Sequence, residues 1–179
     1  ANRVAYQAYI ADILELAGDA DAEKKAKTIF DLEMKIAKAH ANVVDSQDIH
    51  KANNPWAVAD YAKNAPGIDW TAFFDAAKLN GQQTLFAWQP DAIRKLSALV
   101  ASEPLQAWKD YLRFHAINHS AGLLPKAYAD LSFAFYGTQL NGTGKQRDRW
   151  KRALGATDGA LGDAIGQLEC VRKRVMHED

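Results

Sequence analysis

The sequence is short of the features that mark a specialised chain. Cys170 is the one cysteine in 179 residues, which excludes an intramolecular disulfide and a metal site built from thiolates alone. That usage fits a reducing compartment, or a bacterial secreted protein that does without disulfides. Charge of one sign is also missing: 22 Lys+Arg stand against 22 Asp+Glu. General binding to nucleic acid or to an anionic membrane rests on excess positive charge and is not expected. No apolar run reaches the roughly 18 residues that a membrane-spanning helix needs. Ala1-Asn2-Arg3 carries neither an initiator Met nor a signal-peptide pattern, and the last residues are charged, so the chain is expected to be cut at both ends.

What remains is ordinary globular material, 48% hydrophobic and 25% charged, which excludes a disordered chain. A chain this long buries roughly 70% of its unfolded surface and needs no metal or disulfide to hold a core. The periodicity is helical almost throughout and predicts an all-α domain of eight or nine helices. Val4, Tyr6, Tyr9, Ile10, Ile13 and Leu14 predict a helix over 3–17 that stops at Gly18. Ala22, Ala26, Ile29, Phe30, Ile36 and Ala37 form one stripe of a second, over 21–41. Asn54-Pro55 reads as N-cap and first residue of a third, and Asp69 as the cap of a helix over 70–79 closed by Asn80-Gly81. Pro90 and Pro104 each start another, reaching about 101 and 120. Another ends near 135, followed by a flexible loop over 137–144. Two more are expected over 146–154 and 158–176. Residues 84–88 are the one segment that reads as extended, too isolated to imply a sheet.

Few residues suggest chemistry. His115 and His119 lie at i and i+4, the spacing by which a helix offers two imidazoles to zinc. A hydrolytic site of that type wants Glu after the first His, and Ala116 stands there. Their stripe also holds Leu105, Trp108 and Leu112, so hydrogen-bonded histidines on a packed face are expected. Glu33 falls within the apolar stripe of the second helix and needs a partner, an arginine from another helix being the simplest. Lys145, Arg147, Arg149, Lys151 and Arg152 enclose Trp150, but Asp148 interrupts the run. A solvated face anchored by one Trp is expected there, with no nucleic acid as partner. Gly159, Gly162 and Gly166 have the spacing of a close helix–helix contact. None of Ser46, Ser97, Ser102, Ser120 and Ser132 sits in a Gly-x-Ser-x-Gly elbow.

The ordered set of segments resembles a family. Arg3-x-x-Tyr6-x-x-Tyr9-Ile10, Leu32-Glu33-x-x-Ile36-Ala37, Asn53-Asn54-Pro55-Trp56, Ile68-Asp69-Trp70 and Trp108-x-x-Tyr111-Leu112 open it. Phe133-x-Phe135-Tyr136-Gly137, Arg147-Asp-Arg149-Trp150-Lys151 and Gly162-Asp-Ala-Ile-Gly166-Gln-Leu168 complete it. Together they are similar to the N-terminal helical region of the neprilysin-like zinc metallopeptidases, the M13 family.

The resemblance implies an M13-like lid domain over 1–168 and a divergent tail over 169–179. It implies a non-catalytic role, capping the substrate chamber of a zinc metalloendopeptidase, inactive alone. The family's His-Glu-x-x-His, with a Glu-x-x-x-Asp downstream of it, does not occur here. No catalytic, cofactor-binding or metal-ligating residue is therefore assigned, and the zinc of the parent enzyme would bind outside this segment. The implied partner is a C-terminal catalytic domain, with peptides as substrates of the intact enzyme only. Exposed docking surface would favour self-association. By resemblance the location is secreted, periplasmic or membrane-anchored outside the cytoplasm. The tail, where Glu169-Cys170 replaces the family's Tyr-Val, fits a truncated product, a shifted reading frame or an artificially shortened chain. A freestanding helical binding or scaffold module is the alternative.

Overall fold

The computed structural model describes residues 2–175, with side chains described through Leu168. The positions of the predicted tail lie outside this set, apart from the helical backbone of 169–175. The chain is almost wholly helical. In order run α1 (Asn2–Leu16), α2 (Ala22–Ala39), α3 (Val43–Gln47), α4 (Ile49–Ala52), β1 (Pro55–Ala57), α5 (Tyr61–Asn64), α6 (Trp70–Ala76) and β2 (Thr84–Phe86). Then follow α7 (Pro90–Ser102), α8 (Leu105–Ser120), α9 (Lys126–Ser132), a π-helical segment (Phe133–Leu140) and α10 (Arg149–Val175). Among the described residues no helix is long and apolar enough to cross a membrane.

The residues gather into two compact units, one of Asp21–Phe114, the other of residues up to Ala20 with those from His115 on. In the second of these, α1 buries Tyr9, Ile10, Ile13 and Leu14, each at 3% exposure or less. Each such side chain is worth about 1.5–3 kcal/mol of burial. The helix ends as its sequence predicts: Gly18 takes φ 77°, and the Asp19 and Gly18 amides donate to Leu14 and Glu15 carbonyls at 3.0 and 2.9 Å. Against α1 pack α9 and the π-helical segment. Tyr9 stacks on Phe135 at 4.9 Å, and its hydroxyl donates to Asn118 Oδ1 at 2.6 Å. Asn118 Nδ2 in turn donates to the Tyr136 hydroxyl at 3.1 Å.

Burial raises the Tyr9 phenol to about 12, against a lowering hydrogen bond from Ser132. Its folded value lies above the unfolded one near 10, so the unfolded state loses the proton first as pH rises. The associated stability is complete below pH 10 and disappears between about 10 and 12. Thermal unfolding across that window should show a falling Tm in the parent chain and a shallower fall in Tyr9→Phe. An identical slope in both would refute the assignment.

The π-helical segment takes the first four residues of the loop expected over 137–144, and the chain leaves the helix at Asn141. A Cβ on Gly137 would come within 2.5 Å of the Phe133 ring, so the widened turn accommodates the aromatic only because residue 137 has no side chain. The two final helices of the sequence reading are one continuous α10 of 27 residues. Gly155 costs about 1 kcal/mol of helix propensity without ending the helix.

In the other unit, α2 packs on α7 and buries Ala26, Ile29, Leu32 and Ala39. One segment here differs from expectation. Residues 55–57 are strand, not helix: β1 pairs antiparallel with β2 in the register Pro55↔Phe86, Trp56↔Leu85, Ala57↔Thr84. Local capping favoured helix at Asn54-Pro55, but Ala87 N donates to the Asn54 carbonyl at 2.8 Å and Val58 N to the Gln83 carbonyl at 2.9 Å. The segment is thus held by pairing to residues some thirty positions on, and proline is tolerated because this ribbon has free edges. The caps act earlier instead: Asn42 accepts from Asp45 N, and Asp48 from His50 N, at the starts of α3 and α4. Asp69 caps α6 as predicted, accepting from Ala72 N at 3.0 Å. The left-handed residue after α6 is Lys78 (φ 57°) rather than Asn80 or Gly81.

Tyr61, Ala65, Trp70 and Phe74 form this unit's aromatic core, with Trp56, Ile68 and Leu85 packed around it. A polar node sits beside it. Ser97, fully buried on α7, donates to the Ala65 carbonyl at 2.7 Å and accepts from Ile68 N at 3.1 Å. Trp70 Nε1 donates to the same carbonyl at 2.7 Å. Gly67 (φ 128°) lies directly over the Ser97 carbonyl.

Candidate functional site

The residues singled out for chemistry are not brought into one site. His115 is half-buried and engaged by neighbours, whereas His119 is exposed in the last turn of α8. The face expected to bury them is packed only in part, with Trp108 and His115 half-buried. Leu105 and Leu112 are 69% and 63% exposed, and α8 instead buries Ala107, Asp110 and Phe114. Among the described residues no group of three or more His, Cys, Asp or Glu is placed to hold a metal ion. Among the described residues the histidine pair has no third donor, and the two alone do not fit the zinc of a hydrolytic centre.

Glu33 is half-buried at the flank of the α2 stripe, whose centre is Leu32. It is engaged, and its negative charge together with burial raises the Tyr111 phenol. Burial is the larger cause. That arrangement is structural, since an engaged carboxylate beside a phenol offers no activated nucleophile.

The basic cluster differs from expectation at Trp150, which is 64% exposed and does not anchor the helix. Lys151 lies over its ring at 5.3 Å and pairs with Asp148 at 3.6 Å. The glycines of α10 make no close helix contact: a Cβ at Gly159 or Gly166 would meet nothing within 4 Å, and at Gly162 only Asp158 of the same helix.

A concave site that the sequence did not reveal lies within the Asp21–Phe114 unit. A cleft of about 610 Å³ is walled by Trp56, Trp88, Arg94, Asp45 and Lys51. The β1–β2 ladder brings the two indoles to one end of the ribbon, and Trp88 Nε1 is held by the Ser46 carbonyl at 3.0 Å. Arg94 stands over the Trp56 ring at 5.2 Å and is fixed by Asp91 at 2.9 Å and the Asn64 carbonyl at 3.2 Å. Hydrogen bonds from Lys51 and Asn42 hold the exposed Asp45 carboxyl below its usual range. Lys51 pairs with Asp45 and Arg94 with Asp91, so these four groups suit non-covalent binding rather than bond cleavage. The signal was the pair of tryptophans flanking short extended runs, legible only once the runs are known to pair.

The fold itself is the informative feature. The sequence model of Peptidase family M13 matches residues 1–178. Neprilysin-3 of Drosophila melanogaster is 22% identical over 178 residues, covering 91% of this chain and 22% of its own length. Endothelin-converting enzyme 1 of Rattus norvegicus is 20% identical over 170 residues, with the same coverages. The zinc metalloprotease Zmp1 of Mycobacterium tuberculosis in its open state superposes with a TM-score of 0.88 at 32% identity, over 94% of this chain and 27% of Zmp1. Its inhibitor complex gives 0.87 at 31%. The chain thus spans about a quarter or less of the length of the proteins it matches. Family match, relatives and backbone agree over nearly every residue: the chain belongs to peptidase family M13, as the N-terminal region of that zinc metallopeptidase family.

Proposed function

We propose that this chain is the non-catalytic helical portion of an M13 zinc metalloendopeptidase, capping the substrate chamber of the intact enzyme and inactive alone. The observation that carries this reading is the superposition of 94% of the chain on only 27% of a zinc metalloprotease. The mechanism is steric. Helices stiffened by the Tyr61–Trp70–Phe74 core form part of a wall, so that only peptides able to enter reach the zinc. The zinc and its ligands lie in the catalytic portion, which is the partner of this chain, and the assembled enzyme works outside the cytoplasm.

A chimera tests the capping role. Residues 1–168 replace the matching segment of the mycobacterial zinc metalloprotease, and one short peptide and one folded protein are offered as substrates. The expected result is a zinc-loaded chimera that cleaves the peptide and spares the protein. Equal cleavage of both by a zinc-loaded chimera would overturn the reading in favour of a binding or scaffold module with no gating role.

A further inference from the structure

The tripeptide Leu-Asn-Gly stands twice in the chain, as Leu79-Asn80-Gly81 and as Leu140-Asn141-Gly142. Asparagine is a thermolabile residue. It is most so before glycine, where no side chain hinders the next main-chain nitrogen from closing on its amide. Local sequence does not separate the two sites, and both asparagines and both glycines are exposed. Each asparagine also donates through Nδ2, Asn80 to Asp75 Oδ1 and Asn141 to the Tyr136 carbonyl at 2.7 Å.

The fold separates them at the glycine. The Gly142 amide donates to the Thr138 carbonyl at 3.0 Å, and Thr143 N closes the same turn onto the Gly137 carbonyl at 2.8 Å. Thr138 Oγ1 adds a bond to the Thr143 carbonyl at 3.2 Å. Reaction at Asn141 must therefore first undo the end of the π-helical segment. Asn80 and Gly81 instead occupy the middle of a turn closed by Gln82 N on the Leu79 carbonyl at 3.0 Å. Among the described residues nothing accepts from the Gly81 amide. Its nitrogen gives up no protein hydrogen bond when it attacks.

We infer that Asn80 is a site of spontaneous covalent modification in the folded chain, favoured over Asn141 by the state of the glycine amide that follows. The Gly81 nitrogen loses its proton to solvent hydroxide and bonds to Asn80 Cγ. The Cγ–Nδ2 bond breaks, and Nδ2 takes a proton from water and leaves as ammonia, which restores the hydroxide. Water then opens the cyclic imide at either carbonyl, giving aspartate or isoaspartate. One negative charge is added to a chain whose formal net charge is zero, and Asp75 exchanges an amide donor for a second carboxylate.

The 179-residue chain, held in mildly alkaline buffer with and without urea, tests this by peptide mass mapping of each asparagine over time. Urea should bring the two sites to similar rates, because their local sequence is shared. In native buffer Asn80 should convert about fivefold faster than Asn141 or more, the factor that one retained hydrogen bond is worth. Isoaspartate should appear among the products at position 80, since only the cyclic route forms it. Equal native rates, a faster Asn141, no native conversion at either site, or the same preference persisting in urea would each overturn the proposal. Aspartate without isoaspartate would equally overturn it, as the mark of direct hydrolysis.

Discussion

Gly67→Ala should be among the most damaging single substitutions in this chain, costing about 3–5 kcal/mol. Two effects add. Gly67 sits at φ 128°, a region that residues with a side chain rarely adopt. Its added Cβ would also lie 2.1 Å from the Ser97 carbonyl oxygen and 2.7 Å from the carbonyl carbon. Those are main-chain atoms of α7, so relief requires moving the helix. Moving it breaks the bonds from Ser97 to the Ala65 carbonyl and from Ile68 N to Ser97. The matched control is Gly81→Ala, where the new Cβ meets nothing within 4 Å and φ is ordinary. Urea unfolding followed by circular dichroism should show a large midpoint loss for Gly67→Ala and a change within about 0.5 kcal/mol for Gly81→Ala. Equal midpoints would show that the close approach of 67 to 97 does not exist.

Trp70→Ala is the second large effect, again about 3–5 kcal/mol. The indole is 9% exposed, lies 5.1 Å from Tyr61 and 5.8 Å from Phe74 between ring centroids, and donates to Ala65. Alanine removes the ring packing and the hydrogen bond together. Trp70→Phe separates them, since it keeps an aromatic body but cannot donate. It should cost about 1–2 kcal/mol, because Ser97 still satisfies the Ala65 carbonyl. Similar losses for the two variants would mean that the hydrogen bond, not the packing, holds this corner.

These two residues also show what the sequence could and could not reveal. Asp69 before Trp70, Gly18 after α1 and Pro90 at the start of α7 are local signals, acting within one turn of their own helix, and each was legible. The Gly67–Ser97 approach is not local, and neither is β1, whose Asn54-Pro55 start imitates a helix cap until residues 83–87 arrive to pair with it. The π-helical segment escaped notice for a related reason: Gly137 reads as a breaker, although the Phe133 ring is what makes glycine necessary there. At the level of chemistry, the missing Glu after His115 was readable directly. That Leu105 and Leu112 face solvent was not, because a helical wheel shows a stripe but not which stripe finds a neighbour. The cleft of Trp56 and Trp88 depended on the same long-range pairing and was invisible for that reason.

The central claim is that this chain carries the fold of the M13 helical portion and none of its zinc chemistry. The most direct measurement is zinc content and peptide turnover on one preparation of the purified 179-residue chain, after zinc loading and desalting. The account predicts far less than one zinc per chain and no turnover above a buffer control. One tightly held zinc per chain, with turnover that a chelator abolishes and added zinc restores, would contradict it.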